Sequence, residues 1–131
     1  MGTSLNHYLF DTNILIYYFA DVIPDQEIDT IERHLKTSFN ILIITKIEFY
    51  GFEKFSQDRF SHELQFIRNA TVIPLTEDIA DITIDLRRES KIKLPDAVIA
   101  ATCLKNNLTL ITRNEKDFCR IPELIVYNPF K

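Results

Sequence analysis

Glycine and proline are scarce in this 131-residue chain, with 2 and 5 positions respectively. No Gly/Ser-rich or Pro-rich stretch divides it, so an internal flexible linker is excluded. Repeats and low-complexity tracts are absent as well. The length then suits a single domain, residues 1–131, around one hydrophobic core. Long apolar runs are also missing. Runs such as Ile41–Ile44 and Ala97–Ala101 fall far short of the roughly 20 residues of a membrane span. The first residues show no basic stretch followed by an apolar one, so a secretory signal is not expected. Cysteine is confined to Cys103 and Cys119. One disulfide is the most they can form, and a chain of this size needs none. Cys103 falls within an apolar helical pattern and is expected to be a buried thiol. These lacks together point to a reducing, cytoplasmic setting and away from membranes.

An excess of positive charge is the last absence. There are 15 basic and 19 acidic residues, for a net charge of -4. That excludes a domain holding nucleic acid by bulk charge alone. It does not exclude a nucleic-acid substrate. If three acids hold a divalent cation, the other charges are nearly balanced and leave room for local basic patches. What the chain does have is apolar content: 46% of its residues are hydrophobic, which excludes disorder.

Hydrophobic patterning predicts alternating strands and helices. His7–Asp11 reads as a strand that ends on an acid. Thr12 and Asn13 follow as capping or turn residues, and Ile14–Phe19 as one or two buried helical turns. After Pro24, a polar helix over 25–36 carries Ile28, Ile31 and Leu35 on one side. Ile41–Ile44 reads as a strand buried on both faces. Thr45 can cap the next helix, with Glu48 at capping-box spacing, and Ile47, Phe49, Tyr50 and Phe52 supply packing. A helix over 59–69 uses Phe60, Leu64 and Ile67. Thr71–Leu75 is a short strand stopped by proline. Thr76 opens a helix with Ile79, Ile82 and Leu86 inside. Past a basic stretch, Arg87–Lys93, another helix opens at Leu94–Asp96, with Pro95 suited to its first position. Leu108–Thr112 and Ile125–Tyr127 close the series as strands. This order implies an α/β fold, a three-layer α/β/α sandwich with a mostly parallel central sheet.

In such folds ligands bind beyond the carboxyl ends of the strands. Asp11 ends the first strand, Glu48 follows the second, Asp96 lies near a helix start, and residues 112–117 follow another strand. Each acid taken alone also fits a capping or turn role. Taken together, they converge on one edge of the sheet. Acids gathered there repel one another unless a cation is present. Oxygen donors without a His or Cys set favour Mg²⁺ or Mn²⁺ over zinc. His7, His34 and His62 show no partner in the sequence and are expected to be noncatalytic. Tyr17, Tyr18 and Phe19 can stack on bases, although core or interface packing is the commoner role for such rings.

Four blocks carry a resemblance: Phe10–Ile16, Thr45–Phe49, Leu94–Thr102 and Leu110–Phe118. In order and spacing they resemble the PIN domain, and more narrowly the VapC-type toxin ribonucleases of toxin–antitoxin pairs. The resemblance spans residues 8 to about 127. It implies that Asp11, Glu48 and Asp96 are catalytic acids that bind Mg²⁺ or Mn²⁺. The fourth block departs from the family: Asn114 stands where relatives often have an acid. Asp117, three residues on, is the other candidate for that place, with Asn13, Thr112 and Asn114 as supporting residues. The implied activity is endonucleolytic RNA cleavage leaving a 5′ phosphate. The implied partners are an RNA substrate, a cognate antitoxin protein and a second copy of the chain. Arg87, Arg88, Lys91, Lys93, Arg113 and Lys116 are candidate phosphate contacts. The aromatic residues at 17–19 and 49–52 are candidate walls of an antitoxin groove. Other readings are a housekeeping RNA-processing nuclease and an inactive PIN-like binding module. A phosphatase-type α/β domain wants a second Asp where Asn13 stands, which argues against it.

Overall fold

The structure is a computed structural model that describes residues 7–51 and 57–131, with side chains described over 7–51 and 62–131. Five short strands form one sheet: β1 (Tyr8–Phe10), β2 (Asn40–Leu42), β3 (Thr71–Ile73), β4 (Thr109–Ile111) and β5 (Val126–Tyr127). Their order across the sheet is β3-β2-β1-β4-β5, and all four pairings are parallel. Parallel neighbours need crossovers, and helices supply them. These are α1 (Thr12–Phe19), α2 (Asp25–Thr37), α3 (Ile43–Tyr50), α4 (Gln57–Ile67), α5 (Glu77–Glu89) and α6 (Leu94–Asn106). A single 3₁₀ turn, Glu115–Phe118, follows β4. The mostly parallel α/β/α sandwich expected from the patterning is the observed fold.

Strand alternation divides the core between the two faces of the sheet. Leu9, Leu42, Leu110 and Val126 point to the side of α5 and α6. Their chain neighbours Phe10, Ile41, Ile111 and Tyr127 point to the side of α1, α2, α3 and α4. Within α6, Ala97 through Cys103 are all buried, because the small alanines let the helix lie close to both the sheet and α5. Asn107 ends α6 in a left-handed conformation, with φ 54°, which asparagine tolerates better than most residues. Thr76 caps α5 as expected, accepting from the Ile79 amide at 3.4 Å.

Three local expectations are corrected. The branched run Ile41–Ile44 does not stay extended: β2 stops at Leu42, and Ile43 already starts α3. Ile44 packs toward the α5–α6 core, and that packing overrides the strand preference of β-branched residues. With the helix starting earlier, Thr45 is an interior residue, buried at 1% exposure, and forms no capping box with Glu48. Pro95 takes the second position of α6 instead of the first. The N–H that proline lacks would have no intrahelical partner in either place. The packing expected of Phe52 and Phe60 lies outside the described residues.

Candidate active site

The chain builds β2 and β3 to one side of β1, then β4 and β5 to the other. The strand order therefore reverses between β1 and β4, and the carboxyl ends of strands at such a reversal form a crevice. Asp11 immediately follows β1 and caps α1, its Oδ1 accepting from the Thr12 amide at 2.8 Å. Thr112, immediately after β4, donates its hydroxyl to Asp11 Oδ2 at 2.7 Å. One hydrogen bond thus closes the crevice between residues 101 positions apart. Asn13 also donates to Asp11 Oδ2, at 3.0 Å.

Glu48 reaches this place from α3, accepting a hydrogen bond from the Thr12 hydroxyl at 2.6 Å. Asp96 comes from the first turn of α6. Asp117 comes from the 3₁₀ turn, which Asn114 starts by accepting from the Asp117 amide at 3.1 Å. Asn114 itself donates its amide to the Thr112 hydroxyl at 3.1 Å, and its side chain is exposed.

The electrostatics tie these groups together. Burial is the main cause that pushes the Asp11 carboxyl above the usual aspartate range; the Glu48 charge adds to it, and bonds from Thr112, Thr12 and Asn13 oppose it. Asp96 is also raised, first by burial and then by the charges of Asp117 and Asp11; Lys93 opposes, and Glu48 adds a smaller push. Asp117 is thus the strongest charged neighbour of Asp96. Of the two candidates for the fourth place, it is the one whose charge acts on Asp96. Asn114 contributes through its backbone.

The donor set is chemically suited to a hard divalent cation: it is made of oxygens, and burial and neighbouring charge raise Asp11 and Asp96. Among the described residues, no three His, Cys, Asp or Glu side chains are drawn into a metal-holding cluster. Coordination would need the acids to turn further toward one another.

Basic residues flank the acids unevenly. A cavity of about 280 Å³ is lined by Lys91, Lys93, Lys116 and Arg120 together with Asp96 and Asp117. Arg87 and Arg88 are exposed in the last turn of α5 and do not line it. Arg120 was invisible to motif reading because it lies beyond the fourth block. Its proximity to the acids follows from the 3₁₀ turn.

The remaining candidates are packing groups. Tyr18 donates to Glu32 at 2.6 Å and stacks near Phe66, while Phe19 lies edge-on to Phe66 at 4.8 Å. Phe49 is fully buried. The aromatic face nonetheless bears a cavity of about 460 Å³ lined by Tyr18, Glu32, Leu35, Lys36, Phe39 and Phe66. His34 stacks on Tyr8 at 3.9 Å, away from the acids. Cys103 is a buried thiol pushed up by burial, and Cys119 is exposed; both are free. No helix among the described residues is long and apolar enough to cross a membrane.

Comparison with curated proteins found no match. Among solved structures, the chain is similar to one in a toxin–antitoxin complex from Klebsiella pneumoniae. The two are 36% identical with a TM-score of 0.73, over 95% of this chain and 98% of that one. It is similar to a chain of VapBC2 from Rickettsia felis, at 27% identity and a TM-score of 0.75, over 92% and 97%. It is also similar to a chain of VapBC-1 from nontypeable Haemophilus influenzae, at 25% identity and a TM-score of 0.78, over 95% and 98%. The PIN domain model matches residues 8–124. With that match spanning strands β1 to β4, the crevice and all four acids, the chain belongs to the PIN-domain family and is homologous to chains of VapC-type toxin–antitoxin complexes.

Proposed function

We propose that this protein is a metal-dependent endoribonuclease and the toxin of a toxin–antitoxin pair. One observation carries the reading: at the carboxyl edge of the sheet, where the strand order reverses, the Glu48 charge helps to raise Asp11, and the charges of Asp117, Asp11 and Glu48 help to raise Asp96. Asp11, Glu48 and Asp96 would hold Mg²⁺ or Mn²⁺. Such a cation, when bound, acidifies water and neutralises phosphate charge.

The protein's own groups have separable tasks. Thr112, Thr12 and Asn13 fix the orientation of the Asp11 carboxylate through three hydrogen bonds. Glu48, exposed at the mouth and oriented by the Thr12 hydroxyl, is placed to accept a proton from an attacking water. Asp117 keeps Asp96 in a strongly anionic setting that favours cation capture. Lys91, Lys93, Lys116 and Arg120 offer phosphate contacts along the approach. Such an open crevice suits single-stranded RNA, whose phosphates and bases are accessible.

The toxin reading draws on the similar chains, which come from toxin–antitoxin complexes. A cognate antitoxin and a homodimeric state belong to the same proposal. The cavity beside Tyr18 and Phe39 is the place where antitoxin protection is expected. Protection confined to the α5 face would reject that assignment.

The decisive experiment is RNA cleavage with Mg²⁺ or Mn²⁺ by the native chain and by D96N. The variant is expected to be slower by on the order of a hundredfold or more. Equal rates reject the site. A small antitoxin-like gene directly upstream supports the toxin over a housekeeping nuclease.

A further inference from the structure

Arg113 stands immediately after Thr112, yet its side chain is held by a distant part of the chain. Its guanidinium lies 4.2 Å from the centre of the Phe130 ring and 5.1 Å from that of Tyr17. The two rings meet edge to face at 5.3 Å, so they form one slot. The segment 128–131 is fastened over this slot. Asn128 donates its side-chain amide to the Arg113 carbonyl at 3.3 Å and accepts from the Phe130 amide at 2.9 Å. Lys131 pairs with Glu115 at 3.2 Å, which offsets an acid on the same loop.

The slot is wired to the acids. The Arg113 amide donates to Asn13 Oδ1 at 3.4 Å, and Asn13 in turn donates to Asp11 Oδ2 at 3.0 Å. Ring contacts engage a guanidinium by its flat face and leave its in-plane N–H groups for acceptors. Among the described residues, that guanidinium has neither a carboxylate partner nor a hydrogen-bond acceptor. A cavity of about 410 Å³ opens beside it, bounded by Lys116, Asp117 and Lys131 among others. An arginine held still, with unused donors beside an acidic centre, matches the bidentate needs of a phosphodiester.

We propose that Arg113 binds an RNA phosphate beside the acidic crevice and that Phe130 is its positioning residue, holding the guanidinium in the Tyr17–Phe130 slot. The proposal rests on the nuclease reading above. It also accounts for the fold-back of 128–131, which no catalytic motif requires.

The test measures binding of a single-stranded RNA oligonucleotide without divalent metal, so no cleavage enters the readout. The native chain, R113A, F130A, F130L and the double variant R113A/F130A are compared across a salt series. R113A is expected to weaken binding about tenfold and to flatten the log Kd against log salt slope by about 0.7, as for one lost phosphate contact on a single strand. F130L keeps apolar bulk and loses the ring face, so it is expected to lose about threefold, with an unchanged melting profile. The double variant is expected to match R113A, since Phe130 acts through Arg113. R113A binding as the native chain does, with the same slope, overturns the proposal and leaves the nuclease reading intact. Additive losses in the double variant overturn the positioning role. A native chain that binds no RNA without metal overturns this proposal, and the nuclease reading is then decided separately by the cleavage assay with D96N.

Discussion

The two faces of the sheet are built from different materials. Toward α5 and α6 the core is mostly aliphatic, with Phe118 as its buried ring and with Ala97, Ala100 and Ala101 fully buried along α6. Toward α1 to α4 it is richer in rings, with Phe10, Phe39 and Phe49 buried among isoleucines and Tyr18, Phe19 and Phe66 packed against them. Small residues allow close helix approach and leave little slack. They fix α6, and α6 carries Asp96. Large rings meet at angles and leave clefts between them, such as the cavities of about 460 and 300 Å³ that share Tyr18 and Glu32. The aliphatic face therefore carries the proposed catalytic acid, and the aromatic face carries the proposed antitoxin surface. Asp11 lies at the junction of the two, beyond the carboxyl end of β1.

The sharpest blow to the aromatic face is Phe49→Ala. This ring is fully buried, and its loss is expected to cost about 3–5 kcal/mol, measured by denaturant unfolding. A cost under 1 kcal/mol would mean that the rings are loosely held and the comparison fails. Next in size is the metal. If the acids capture Mg²⁺ or Mn²⁺, a concentration a hundred times Kd stabilises the chain by about 2.7 kcal/mol, read as a rise in Tm that D96N largely loses. An unchanged Tm in the native chain counts against a cation at this site. On the aliphatic face, Ala101→Leu is expected to cost about 1–3 kcal/mol by overpacking, whereas Asn69→Leu, at the aromatic-face cavity, is expected to be tolerated. Equal costs would erase the difference in slack.

The smallest effect tests the electrostatics of the junction. Asp96 has its folded-state pKa raised, so the folded chain holds that proton more tightly than the unfolded one. Below the ordinary aspartate value of 3.8 the group is protonated in both states and costs nothing. As pH rises through the raised folded value, its charge becomes a penalty on the fold. In chelator, D96N is therefore expected to melt about 2 °C above the native chain at neutral pH, with the gap closing below pH 4. A gap of the opposite sign would show that Asp96 is stabilised as an anion without metal.

Much of this was legible locally. The apolar stretches His7–Asp11 and Leu108–Thr112 announced strands, and Thr76 announced the start of α5, because strand patterning and capping act over a few residues. The four acids were likewise visible as residues following strands or opening helices. Where local preference competed with packing it misled: Ile43 and Ile44 favour strand, yet they enter α3 because Ile44 is needed against the α5–α6 core. Glu48 looked like a capping-box partner of Thr45, but its hydroxyl partner is Thr12, on another helix.

The sequence by itself determined the class of fold, the supply of oxygen donors and the place of each acid relative to its own strand or helix. Only the tertiary structure decided which groups meet. The strand order sets β4 against β1, so Thr112 reaches Asp11 across 101 positions. The return of 128–131 brings Phe130 over Arg113. Such meetings depend on how the sheet is ordered and closed, and periods of two and 3.6 residues carry no record of that order.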